Sequence, residues 1–122
     1  MPPVDDDVAY LSDMLAAARQ IIRYTSGTTF HGFVSDDMMR RATERQLEII
    51  GEAATRVSSA TRSSNSEIPW RQIIAQRNVL AHEYGEIKVE LIWKLIQTRI
   101  PTLIQQLEPL VPIPPPDPEP EG

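Results

Sequence analysis

An arginine, an asparagine, a histidine and a tyrosine fall within eight residues, Arg77-Asn78-Val79-Leu80-Ala81-His82-Glu83-Tyr84, in a chain that holds only two histidines. These types suit chemistry at a phosphodiester. Arginine brings a permanent charge on a planar fork that matches phosphate oxygens. Histidine exchanges protons near neutral pH, and the tyrosine hydroxyl is open to modification. No other segment concentrates so much chemistry. The second histidine, His31, stands beside Gly32 in an expected loop and is assigned no role.

Helices must position these groups, because helical periodicity dominates the chain and strand signals are nearly absent. Val8, Leu11, Leu15, Ala18 and Ile22 recur at three- and four-residue steps and predict a first helix, ended by Thr25-Ser26-Gly27-Thr28-Thr29. Ser35-Asp36-Asp37 starts a second, which carries Met38, Ala42, Leu47, Ile50, Ala54 and Val57 and stops between Ser58 and Arg62. Ser63-Ser64-Asn65-Ser66 reads as loop. Pro69 suits the first turn of a third helix bearing the motif, and Gly85 offers a left-handed stop after it. A fourth begins near Ile87 with Leu91, Ile92, Leu95, Ile96, Ile100, Leu103, Ile104 and Leu107 on one stripe, and Pro101 should kink or split it. The expectation is an all-α fold, an antiparallel up-down four-helix bundle with a kinked or split last helix, over residues 1–110. Residues 111–122 contain six prolines and read as an acidic, disordered tail.

Composition bounds what the bundle can do. With 122 residues there is room for one core. The absence of cysteine removes disulfides, thiol nucleophiles and thiolate metal sites, and two histidines make a dedicated transition-metal site a poor expectation, so no cofactor is expected. The opening Met1-Pro2-Pro3-Val4-Asp5-Asp6-Asp7 has neither the basic nor the apolar region of a signal peptide, and the expected location is cytoplasmic. The net charge of -5 argues against a polyanionic partner only until its placement is considered. Asp5, Asp6, Asp7, Asp117, Glu119 and Glu121 lie at the two ends; removing these six from 17 acids leaves 11 against 12 bases.

On a wheel at about 100° per residue, Trp70, Ile73, Ile74, Leu80 and Ala81 define a core face of the third helix, and Arg77 and Tyr84 fall within it. A second stripe, Ala75, Asn78, Val79 and His82, faces elsewhere and calls for a second neighbour, either another helix of the bundle or the same helix of a second subunit. Arg77 and His82 stand about 140° apart around the axis, so they do not converge on one small group within a single helix. A homodimer through this helix would bring two arginines and two histidines to one cleft. Arg77 on a core face could also pair with Glu48 or Glu52 of the second helix.

These residues resemble the Arg-x4-His-x-Tyr motif of HepT-like toxins in the HEPN superfamily of helical ribonucleases. The likeness extends to Arg45-Gln46-Leu47-Glu48-Ile49-Ile50-Gly51-Glu52-Ala53, to Ile68-Pro69-Trp70 before the motif, and to Ile92-Trp93 with Ile100-Pro101 after it. The chain departs from the pattern at Ala75-Gln76 and at Gly85-Glu86-Ile87-Lys88, where the usual aspartate after the motif is missing. The resemblance implies a HEPN-like bundle acting as the toxin of a type VII-like toxin–antitoxin system. Such a protein is a metal-independent endoribonuclease that cuts RNA, tRNA or mRNA, by 2'-hydroxyl attack on the adjacent phosphate. Arg77 and His82 are then the catalytic pair, with His82 moving the proton and Arg77 offsetting transition-state charge. Asn78 supports them by orienting the imidazole or touching substrate. The implied partner is a minimal nucleotidyltransferase antitoxin that silences the enzyme by transferring AMP to Tyr84, which places bulk and negative charge where RNA phosphate must lie.

Two other classes stand beside this one. A non-catalytic interaction module would pair with a nucleotidyltransferase without cutting RNA, and a purely structural dimerisation bundle would need no polar motif at all. Retention of Arg77, His82 and Tyr84 together favours the enzyme.

Overall fold

The computed structural model describes residues 5–112, and the greater part of the expected proline-rich tail, residues 113–122, lies outside the described residues. Among the described residues the chain forms seven α-helices and no strand: α1 (Asp5–Thr25), α2 (Phe30–Ser35), α3 (Asp37–Arg56), α4 (Ser59–Ser64), α5 (Trp70–His82), α6 (Gly85–Gln97) and α7 (Arg99–Leu107), followed by a 3-10 turn at Glu108–Leu110. The all-α, HEPN-like bundle is therefore present, its four arms being α1, α3, α5 and the pair α6–α7. Pro101 accounts for the division of the last arm. It lacks an N–H and its ring crowds the carbonyl four residues back, and the helix breaks at Thr98.

Two short helices correct the expected loops. α2 places His31 on a helix rather than in a loop; Thr29 caps it, its hydroxyl accepting from the Gly32 amide at 3.0 Å. α4 takes up Ser63 and Ser64, and Ser58 caps it through the Thr61 amide. Six residues are too few to show a period, so only the caps betray these turns.

Packing holds the arms in place around one core. α1 lies against α3 and α7, and α3 lies against α5. Leu11, Met14, Ile21, Phe33, Ile92, Ile100, Leu103 and Leu107 are fully buried, and side chains of this size each contribute about 1.5–3 kcal/mol by leaving water. Met38, expected on the apolar stripe, is instead open to solvent in the first turn of α3. α2 is tied to α6 by aromatic contact, with Trp93 tilted against Phe33 at 5.4 Å and Phe30 at 5.9 Å between ring centres.

The N-terminal acids are not all a solvated turn. Asp7 is buried at the start of α1 and reaches across to α4. Its carboxylate accepts from the Ser58 amide at 2.9 Å, the Ser58 hydroxyl at 2.6 Å and the Thr61 hydroxyl at 2.5 Å. Burial alone would raise its pKa, but these donors outweigh it and hold the carboxyl below its ordinary value.

Candidate functional site

α5 enters the core through Trp70, whose indole N–H donates to the Asn65 carbonyl at 3.0 Å, and is held along its length by buried Ile73 and Leu80. Pro69 sits one residue earlier than expected, at the cap. Gln76 is fastened from α7 by Arg99, whose guanidinium donates to its side-chain oxygen at 2.6 Å; burial lowers the Arg99 pKa, yet guanidinium stays charged in any folded protein. The second stripe is open: Ala75, Asn78, Val79 and His82 are all exposed in the single chain, and Val79 is 45% accessible.

The motif does not continue as helix to Tyr84. α5 ends at His82, and Glu83 and Tyr84 are extended, Tyr84 at φ -137° and ψ 160°. Gly85 is left-handed as expected, at φ +65°, but it opens α6 rather than closing α5. The wheel position of Tyr84 consequently does not apply, and the side chain is 79% exposed instead of packed in the core.

His82 occupies the last position of α5, and its Nδ1 lies 2.8 Å from the Asn78 carbonyl oxygen. A carbonyl can only accept, so Nδ1 carries the proton and Nε2 of the neutral ring holds the lone pair. The ring is thus oriented by Asn78, but through its main chain. The Asn78 amide itself is exposed and free for another partner.

Arg77 is exposed at its tip, which corrects its expected place on the core face. Its stem passes over Gly51 of α3, where an added Cβ would stand 2.5 Å from Arg77 Cγ and 2.8 Å from Cδ. Gly51 thus seats the stem while the guanidinium reaches outward, the usual division for a long cationic side chain. The expected pairing with Glu48 or Glu52 is not formed. Those carboxylates are taken by Arg45 and Arg56 on their own helix, each at 3.3 Å, and among the described residues no carboxylate lies within 4.0 Å of the Arg77 guanidinium.

Arg77 lines a small pocket of about 60 Å³ with Glu44, Glu48, Leu80, Ala81 and Lys88. Ala81, expected in the core, is part of this open wall. His82 is not among the lining residues, so one chain does not bring the arginine and histidine to one cavity, in keeping with their separation on the wheel. Lys88 and Glu44 meet in this pocket at 3.3 Å. Sequence reasoning gave neither a role, because they come from α6 and α3 and only the tertiary fold brings them together. Among the described residues no group of three or more histidine, aspartate or glutamate side chains is placed to hold a metal ion, and no helix is long and apolar enough to cross a membrane.

Comparison of the sequence with known proteins finds relatives along most of its length. The chain is 33% identical over 103 residues to "Putative RNase MJ1380" of Methanocaldococcus jannaschii, covering 84% of this chain and 94% of that protein. It is 35% identical over 102 residues to "Putative RNase TTE0752" of Caldanaerobacter subterraneus, covering 84% and 91%, and 35% identical over 101 residues to "Probable ribonuclease HepT" of Thermococcus cleftensis, covering 83% and 92%. No solved structure gives a significant match. The family profile described as "Ribonuclease HepT-like" matches residues 14–110, which include the whole of α5 and the pocket beside it, and the chain belongs to this family.

Proposed function

We propose that the protein is a metal-independent endoribonuclease, the cytoplasmic toxin of a toxin–antitoxin pair, working as a homodimer through the open stripe of α5. The observation that carries this reading is the exposed His82 ring, fixed at Nδ1 with the lone pair on Nε2, five residues after an arginine that no carboxylate among the described residues neutralises. In the reaction His82 Nε2 takes the proton of the RNA 2'-hydroxyl as its oxygen attacks the adjacent phosphorus. The P–O5' bond breaks, a cyclic phosphate forms, and the leaving 5' oxygen takes up that proton from the His82 imidazolium, which returns to its neutral form. Arg77 neutralises charge on the equatorial oxygens. Val79, half-open in the stripe, supplies apolar contact between the copies.

Tyr84 is the proposed site of AMP transfer by a nucleotidyltransferase antitoxin. Its exposure on an extended two-residue link leaves the hydroxyl accessible to a second enzyme, and an adenylate there adds negative charge two residues from His82. Tyr84→Phe should abolish AMP incorporation while the protein remains able to cut RNA.

The deciding experiment is cleavage of total RNA with EDTA present, scoring new ends for cyclic phosphate. Wild type should cut, and His82→Ala should lower the rate by about 10²–10⁴-fold. If unmodified wild type leaves RNA intact, the non-catalytic interaction module replaces this reading. Cutting that stops on chelation removes the metal-independent part of it.

A further inference from the structure

The chemistry assigned to Arg77, Asn78, His82 and Tyr84 leaves a roomy cleft unused. This cleft, about 720 Å³, opens between α2, the start of α3 and the start of α6. Phe30, Val34 and Val89 give it an apolar wall. Phe30 is 39% exposed, and its ring is braced from behind by Trp93. A half-open aromatic ring held by another is a stacking surface ordered before anything binds, which lowers the cost of binding a planar group.

One ion pair joins this cleft to the Arg77 pocket. Lys88 and Glu44 line both cavities, and they face each other at 3.3 Å with roughly a quarter of the lysine and a third of the glutamate side chain accessible. The other cations of the cleft are otherwise engaged: Arg40 and Arg41 both hold Asp37, and Arg40 also donates to the Phe33 and Val34 carbonyls. Arg41 likewise has one carboxylate partner, but Lys88 alone of these cations also lines the Arg77 pocket, and its partly exposed contact with Glu44 exchanges readily for a stronger anion. Glu86 and Glu90 also line the cleft, where they repel a polyanion crossing it but accept hydrogen bonds from amino groups. The volume, the stacking wall and this charge order fit one nucleotide, phosphate toward Lys88 and base toward the acids.

We propose that the cleft is a second nucleotide subsite: RNA whose scissile phosphate lies on Arg77 places the neighbouring phosphate on Lys88, displacing Glu44, and stacks the attached base on Phe30. This deepens the ribonuclease reading and rests on it. The acceptors of the cleft favour a base with an exocyclic amino group over uracil.

The test compares oligonucleotides blocked by a 2'-O-methyl group at the scissile linkage: a dinucleotide, and the same dinucleotide extended by one adenosine or one uridine at either end. For wild type, adenosine at one end should tighten binding about tenfold, with uridine gaining less. Lys88→Gln should bring the ratio of extended to unextended affinity close to one and reduce the salt slope for the longer ligand by about 0.7. Lys88→Arg should retain the ratio, Glu44→Gln should increase it, and Phe30→Leu, which keeps apolar bulk without a ring, should lower it. If wild type cleaves RNA yet the ratio survives Lys88→Gln, or neither extension tightens binding, the subsite is overturned and the ribonuclease reading stands. If wild type neither binds nor cleaves RNA, both fall. If Lys88→Gln and Phe30→Leu spare RNA binding but abolish AMP transfer to Tyr84, the cleft receives the partner protein and the subsite is again overturned.

Discussion

Gly51 and Arg77 separate two properties that a single residue usually affects together. Gly51→Ala should improve intrinsic helix propensity by up to about 1 kcal/mol, while its Cβ collides with the Arg77 stem and forces the guanidinium aside. We expect a thermal midpoint close to that of wild type, the propensity gain offsetting the displaced stem, with RNA cleavage lowered at least tenfold, read by calorimetry and by initial rates on one preparation. Loss of activity without loss of stability would locate the function of the glycine in Arg77 placement, and unchanged cleavage would remove that role. Asn78 makes a comparable distinction. Because the His82 ring is bonded to its main-chain oxygen, Asn78→Ala should leave the ring orientation intact, and any activity lost must come from the exposed amide. Thr43 in α3 is fully buried with its hydroxyl unpartnered, so Thr43→Val should stabilise the fold by about 1 kcal/mol, checked by urea denaturation. The candidate residues were picked out by type and spacing, and Gly51 stands in a stretch singled out in the sequence. Their surroundings were not, since wheel geometry assumes that a helix continues, and α5 stops two residues before Tyr84.

At the scale of elements, the junction of α1 and α4 should govern behaviour in acid. The folded pKa of Asp7 is below its ordinary value of 3.8, so its contribution is fully present above that value and is lost as pH falls through it toward the folded pKa. Thermal midpoints measured downward from pH 5 should therefore drop for wild type, and Asp7→Asn should start lower and flatten that part of the profile. At neutral pH, Asp7→Ala should cost about 2–3 kcal/mol, because a charged acceptor is lost and two hydroxyls are stranded. A parallel acid response in wild type and Asp7→Asn would assign the acid lability to other carboxylates. The long arms were readable because their apolar stripes run over many turns, and the break before Pro101 because proline chemistry is local. α2 and α4 were not. Their positions depend on tertiary partners, Trp93 for α2 and Asp7 for α4, that lie 51 residues or more away in the chain for the Asp7–Ser58 bond and on a separate helix for Trp93.

For the whole molecule, the open stripe of α5 and the separation of Arg77 from His82 lead to a test by mixing. If one site takes Arg77 from one copy and His82 from another, Arg77→Ala and His82→Ala proteins, each inactive alone, should regain up to about a quarter of wild-type activity after co-refolding, since half the dimers are mixed and each mixed dimer has one intact site. Failure to regain activity, with mixed dimers confirmed by mass, would place both groups of a site on one chain. The same architecture bears on synthesis. α1 leaves the ribosome before the other described helices, yet its start is fastened by Ser58 and Thr61 and its flank is covered by α7. A nascent chain consequently leaves the α7-facing flank of α1 uncovered until residues 99–107 have emerged, while α3 can already pack against α1 and α5. The motif-bearing helix can therefore pack before α7 closes the bundle over α1, and that interval is when a chaperone or a waiting partner has the most of this protein to hold.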